Sequence, residues 1–257
     1  MIDIHAHILP DLDDGSEDME ESLEMAELAV ESGVEIMAAT PHSNQMGRFE
    51  NFQSEQLQTA FERLRMVFKK EKIPLKILNG MEIFASEDIA QKIKNKQLSG
   101  INGTDYYLVE FPFDADPWWI RECLEDIFDT GKIPLIAHPE RYFCIQDYPE
   151  LIYEWVQNGC VTQMNKGSIL GRFGRNVMET ARILLRNDLI SCIASDAHRS
   201  YIRTPHMGEA KKALVHIGGY GYAWHLTDEN PERIIKNIQI PLHGRRPERR
   251  KKYFMPV

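Results

Sequence analysis

Met1-Ile2-Asp3-Ile4-His5-Ala6-His7 reads as a short apolar strand ending in two histidines two positions apart. In an extended chain residues i and i+2 project to the same side, so both imidazoles can face one ion. The same grammar recurs further on. Strand-like runs fall at 2–5, 36–40, 75–79, 106–111, 133–137, 161–164 and 190–195, and most have a histidine or an acid at or just beyond their end. His42 follows the second run, Glu82 follows the third, Glu110 closes the fourth and His138 ends the fifth. Asp196 and His198, again two apart, end the last.

Between the runs lie stretches of helical period. Met19, Leu23, Ala26 and Val30 share a helix face, with Gly33 as the stop. Phe61, Leu64, Val67 and Phe68 repeat the pattern, as do Ile120, Leu124, Ile127 and Phe128 before Gly131. Further helices are expected over 151–157, 177–186 and 206–216. Strand and helix in alternation predict parallel βαβ units of the α/β class. About seven such units in 257 residues fit a single-domain (β/α) barrel better than an open sheet. All strand ends of such a barrel open at one mouth, which would bring His5, His7, His42, Glu82, Glu110, His138, Asp196 and His198 together.

Composition narrows the rest. With 43% hydrophobic and 27% charged residues the chain has ample material for a core. Thirty basic against thirty-nine acidic residues, a net charge of −9, argue against a nucleic-acid-binding surface as the main function. The opening stretch lacks a basic segment followed by an apolar one, so no signal peptide is expected. No run approaches the roughly 18 apolar residues that cross a membrane. Cys123, Cys144, Cys160 and Cys192 are widely spaced with no CxxC pair, so neither disulfides nor a zinc knuckle are indicated. These features predict a cytoplasmic protein with reduced thiols. The basic run 245–252 reads as a solvated terminus, or as a docking element for an acidic partner.

Histidine and carboxylate ligands without cysteine suit manganese, iron or zinc, and acids able to span ions allow a cluster. Arg141, three residues after His138, and Arg203, five after His198, sit on loops over the expected mouth, where a planar guanidinium fork could grip paired oxygens of an anion. Phe111, Phe113, Trp118, Trp119, Tyr142 and Phe143 fall near the expected rim, most of them as core or cover. His206 would line the pocket or pack at a helix start, whereas His216, His225 and His243 lack a partner motif and read as structural. A cysteine nucleophile acting on an anionic ester with an arginine six residues on is a further mechanism to weigh. Asp129, Glu150, Lys166 and His198 occupy those positions, which excludes that mechanism.

The motifs His5-Ala6-His7, Asp13-Asp14-Gly15, Ala39-Thr40-Pro41-His42, Gly80-Met81-Glu82-Ile83, Glu110, His138-Pro139-Glu140-Arg141 and Ser195-Asp196-Ala197-His198 together resemble the PHP (polymerase and histidinol phosphatase) superfamily. Within it the chain resembles the bacterial manganese-dependent tyrosine phosphatases of capsule and exopolysaccharide synthesis, its basic terminus being similar to that of Bacillus-type members. The likeness runs from Met1 to about Ile240. It implies a distorted seven-stranded TIM-like barrel over 1–240 and a basic tail over 241–257. It also implies three manganese ions. One would take His5, His7, Glu82 and Asp196; a second would share Glu82 and add Glu110 and His138; a third would take Asp14, His42 and His198. Arg141 and Arg203 would bind phosphate and stabilise the transition state, with hydroxide attacking phosphorus directly. Asp13 reads more readily as a turn-forming acid before Gly15 than as a site residue. The implied partner is a bacterial tyrosine autokinase with a tyrosine-rich tail. Histidinol-phosphate phosphatase is the nearest enzymatic alternative, and a PHP-type exonuclease lacks the basic groove it would need. A non-catalytic PHP binding module would have lost ligands, whereas all nine positions are filled.

Overall fold

A computed structural model describes residues 1–248. Its strands are β1 (Ile2–Ala6), β2 (Ile36–Ala39), β3 (His42–Ser43), β4 (Lys76–Asn79), β5 (Glu82–Phe84), β6 (Tyr106–Glu110), β7 (Ile133–Ala137), β8 (Val161–Asn165) and β9 (Cys192–Ala194). The helices are α1 (Met19–Glu31), α2 (Glu55–Lys70), α3 (Ile89–Lys94), α4 (Pro117–Phe128), α5 (Phe143–Asp147), α6 (Glu150–Gln157), α7 (Lys166–Ile169), α8 (Arg175–Arg186), α9 (Gly208–Trp224) and α10 (Asn230–Ile235). Every strand pairing is parallel, in the orders β1-β2-β4 and β3-β5-β6-β7-β8-β9.

Seven strands were expected, and nine occur among the described residues because two runs are broken. The second run is interrupted by Thr40-Pro41, where proline lacks the N–H a ladder needs. The third breaks at Gly80-Met81; a Cβ on Gly80 would lie 2.8 Å from Thr40 Cγ2, so the two breaks pack on each other. Each run therefore contributes its first part to the three-stranded sheet and its second part to the six-stranded one. At the other edge β9 lies beside β1: Asp196 N donates to His5 O at 2.9 Å and His7 N to Ala197 O at 2.8 Å.

Strand residues alternate between two cores. Leu78, Leu108 and Leu135 join Ile4, Ala38 and Ala194 in the smaller one, while Ile77, Val109 and Ile136 pack with Met25, Phe61 and Leu124 of the helices. Burial on both faces is why these strands read as continuous apolar runs. Helix starts follow their caps: the side chains of Asp18, Ser54 and Asp116 accept backbone N–H groups of the first turns of α1, α2 and α4, worth about 1 kcal/mol each. The last long helix departs from expectation, since α9 begins at Gly208 and passes Gly218-Gly219 instead of stopping near 216. Gly219 (φ +84) supplies a kink only glycine adopts easily, and the chain re-enters helix because Ala223 and Leu226 are buried beyond it.

Among the described residues no helix is long and apolar enough to cross a membrane. The described part of the basic run leans on the protein. Arg245 donates to Arg186 O at 2.8 Å, and Arg246 pairs with Glu154 at 2.9 Å. Arg249 to Lys252 lie outside the described residues.

Candidate metal centre

The pairing of β1 with β2 slips between Asp3 and Ala6, so three steps on β1 match two on β2. Such a bulge re-aims side chains, and His5 sits inside it. The chain after His7 turns back so closely that a Cβ on Gly15 would lie 2.2 Å from His7 O. This loop carries Asp13 and Asp14 to the mouth. Two proposed ligands and one arginine hold left-handed backbones that disfavour side chains: His138 (φ +33), Asp196 (φ +47) and Arg203 (φ +50). Each costs about 1 kcal/mol or more, a strain characteristic of functional sites.

All nine expected ligands converge. Glu82 Oε1 lies 3.2 Å from His5 Nε2 and 3.1 Å from His138 Nε2, and Glu82 Oε2 lies 3.2 Å from His7 Nε2 and 3.0 Å from His42 Nδ1. His5 Nε2 and His7 Nε2 are 3.3 Å apart, with Asp196 Oδ1 at 3.5 Å from each. Asp14 Oδ1 stands 3.3 Å from His42 Nε2 and 3.5 Å from His198 Nε2. Glu110 lies 3.5 Å from His138 and 3.7 Å from His42. Three donor groups result: His5, His7 and Asp196; His7, Asp14, His42 and His198; and His42, Glu82 and Glu110. The expected groupings differ from these in three respects: Glu82 is not grouped with His5, His7 and Asp196; His7 joins Asp14, His42 and His198; and His42, through Nδ1, stands with Glu82 and Glu110 where His138 was expected.

The donor set fits divalent metal. Ligands about 2.1 Å from one ion lie about 3.0–3.4 Å from each other, the spacing seen here. Glu82 Oε2 and His138 Nδ1 are buried without a hydrogen-bond partner among the described residues. Two further contacts orient the rings. His5 Nδ1 lies 2.9 Å from Gln163 Oε1, and His7 Nδ1 lies 2.7 Å from Asp13 Oδ2, acceptors that favour a proton on Nδ1 and leave Nε2 facing the centre.

The charges are matched in the same way. Burial opposes charge on Glu82, yet the imidazoles of His5 and His42 hold its carboxyl well below the usual range. Burial likewise opposes charge on Asp196, which His5 and Arg203 outweigh. Burial and then the neighbouring Glu82 charge push Glu110 up to about 8. Burial brings His138 down to about 4, so its imidazole is neutral, the form that binds metal.

Supporting residues escaped the sequence reading. The sixth run, which carries no ligand, supplies the amides: Gln163 Nε2 donates to Asn165 Oδ1 at 2.9 Å, and Asn165 Nδ2 donates to Asp196 Oδ2. Two polar residues, two apart, at the end of a buried strand were the available signal. Glu140 is fully buried, accepts from Asn165 N at 3.0 Å and Ser168 Oγ at 2.6 Å, and is pushed up to about 7 by burial. Asp13 does form the turn expected of it, accepting Gly15 N at 2.9 Å, but it also accepts His42 N at 2.8 Å and orients His7. Trp118 is 70% exposed, while Tyr142 is buried, donates to Ala137 O and accepts from Phe111 N. His206 takes the packing role, its ring 2.8 Å from where a Cβ on Gly208 would sit.

The donors open into a cavity of about 280 Å³ lined also by Arg48, Phe111, Phe113, Arg141 and Arg203. Arg203 donates to Asp196 Oδ2, and Arg141 lies 3.8 Å from the same oxygen. Residues 1–236 match the family model for capsular polysaccharide synthesis, CpsB/CapC. The chain belongs to the CpsB/CapC family. It is 39% identical over 254 residues to tyrosine-protein phosphatase YwqE of Bacillus subtilis, covering 99% of both chains. It is 34% identical over 245 residues to tyrosine-protein phosphatase CpsB of Streptococcus agalactiae, covering 93% of this chain and 100% of that one. A crystal structure from work on YwqE of Bacillus subtilis and CpsB of Streptococcus pneumoniae, described as metal-dependent tyrosine phosphatases, superposes with a TM-score of 0.90 at 37% identity. That match covers 97% of this chain and 100% of the other.

For this CpsB/CapC member, Asp13→Asn is expected to weaken metal binding about 10- to 100-fold. Asparagine has one oxygen for three N–H donors, so its amide must oppose one of them. Competition with a chelating dye reads the affinity; an unchanged value would remove Asp13 from the centre.

Proposed function

We propose that this chain is a metal-dependent protein-tyrosine phosphatase that hydrolyses phosphotyrosine on proteins. The observation that carries the reading is one cavity walled by a histidine–carboxylate cluster and three arginines, Arg48, Arg141 and Arg203. The residues that would hold the ions are His5, His7, Asp14, His42, Glu82, Glu110, His138, Asp196 and His198. Manganese is our assignment for the metal, in a three-ion cluster, with iron and zinc compatible with the same donors. Bound divalent ions would supply Lewis acidity and make hydroxide available near neutral pH.

The chain's own groups do the rest. Arg141 and Arg203 bind the phosphate oxygens and oppose charge that builds on them during displacement. Phe113 offers apolar surface to the tyrosyl ring at the same mouth. A cysteine nucleophile has no support. Burial pushes Cys123 up to about 12 and Cys144 up to about 11, and none of the four cysteines lines the cavity.

We read the nine strands as seven ribbons, two of them broken at Pro41 and Gly80, in a distorted PHP-type barrel over 1–240, with 241–257 as a basic extension. Substrates would be phosphotyrosine proteins in capsule or exopolysaccharide regulation, a bacterial tyrosine autokinase foremost, in the cytoplasm.

The test strips metal with a chelator, restores manganese, and compares kcat/KM on a phosphotyrosine peptide and on histidinol phosphate. Activity should vanish, return with manganese, favour phosphotyrosine at least about tenfold, and resist iodoacetamide. Preference for histidinol phosphate would overturn the substrate, and inactivation by alkylation at full metal content would overturn the mechanism.

A further inference from the structure

A second cavity, about 490 Å³, lies beside the metal cavity and shares Phe113 and Arg141 with it. Its wall toward the metal side is the Arg141 guanidinium, which stacks between two rings, 4.3 Å from the centroid of Phe113 and 4.7 Å from that of Phe173. The remaining lining includes Phe143, Gln146 and Val177.

The aromatic groups are held in place. Phe173 packs against the backbone of α7, where a Cβ on Gly167 would lie 2.7 Å from its ring. Phe143 opens α5, and its N–H donates to Phe113 O at 2.8 Å, so the two cavity walls are tied by a backbone bond. Even so, the Phe143 side chain is 58% exposed. A large ring standing in water on a fixed backbone, next to the catalytic mouth, is surface available for apolar contact.

We propose that this cleft is a substrate subsite which takes a large apolar or aromatic side chain two residues away from the phosphotyrosine. The inference rests on the tyrosine-phosphatase reading. In an extended peptide the residues at i and i±2 point to one side, about 7 Å apart. A phosphotyrosine entering the metal cavity therefore directs the second residue along toward the adjoining one. The occupant is apolar because three phenylalanines and Val177 meet there, while Arg141 is engaged by its two flanking rings and Arg175 is paired with Glu179 at 2.7 Å. The cleft gives the enzyme a preference among phosphotyrosine sites that the metal centre, which sees only phosphate and ring, does not provide.

The experiment uses the metal-loaded full chain and alanine-based phosphotyrosine peptides carrying Phe, Leu, Ala or Asp at position −2 or +2. Para-nitrophenyl phosphate, which fills only the metal cavity, is the parallel substrate. Phe or Leu at one of the two positions should raise kcat/KM about tenfold over Ala, mainly through KM, with Asp below Ala. Phe143→Ala and Val177→Asp should each erase that preference while para-nitrophenyl phosphate turnover stays within about twofold. Equal kcat/KM across the peptides, with para-nitrophenyl phosphate still hydrolysed, would overturn the subsite alone. No hydrolysis of either substrate would instead sink the phosphatase reading. A change in oligomeric state on Phe143→Ala with peptide preference intact would assign the cleft to a second copy of the chain and overturn the proposal.

Discussion

Glu82→Gln is expected to lower kcat/KM on a phosphotyrosine peptide by about 10³-fold, equivalent to about 4 kcal/mol of transition-state stabilisation, and to cut the metal bound after purification. Four imidazoles surround this one carboxylate within 3.2 Å: His5 and His138 at one oxygen, His7 and His42 at the other. Glutamine keeps the size but replaces one oxygen with an NH₂, which aims hydrogens at nitrogens that must stay bare. It also removes the charge that offsets divalent ions in a buried place. Elemental analysis and steady-state kinetics on the same sample check the result. Full metal content with more than about a tenth of the activity would show that Glu82 is not central.

Arg203→Ala and Arg141→Ala should each cost about 10²- to 10³-fold in kcat/KM while metal content stays near that of the unsubstituted chain. The fold places Arg203 with care. Its carbonyl accepts His198 N at 3.0 Å, and the loop that follows is held by Lys166, whose buried ammonium donates to Thr204 O and, at 2.7 Å, to His206 O. Burial lowers this lysine to about 8, a cost accepted where an ammonium tethers two carbonyls. Arg141 is fixed instead by its two flanking rings. Lysine should restore little at either position, since an ammonium lacks the planar fork that meets two oxygens and stacks less well between rings. Loss of metal in step with activity would mean that the arginines hold the cluster together rather than act on phosphate.

Much of this was legible in the chain. His5 and His7, like Asp196 and His198, stand two apart at or just beyond strand ends, and that spacing marked them as donor pairs. Helix periods and caps are equally local: Asp18, Ser54 and Asp116 each cap within three residues of themselves. A family resemblance supplied Asp14, which lies on a loop without period and pairs with His42 and His198, far away in sequence.

Other features depended on approach through space. Asp13 fulfilled its local role at Gly15, and nothing nearby announced that the same carboxylate orients His7 and holds the His42 backbone. Gln163 meets His5 across 158 residues, and Lys166 meets Thr204 across 38. The breaks at Pro41 and Gly80 show as residue types, but their packing together and the splitting of the strands between two sheets are properties of the assembled fold. The sequence by itself determined the strand-and-helix alternation and the placing of histidines and acids near strand ends, because backbone geometry repeats over two to four residues. Tertiary structure alone decided which donors share a group, which side chains orient them and which cavity adjoins them, because those follow from packing between segments with no fixed spacing along the chain.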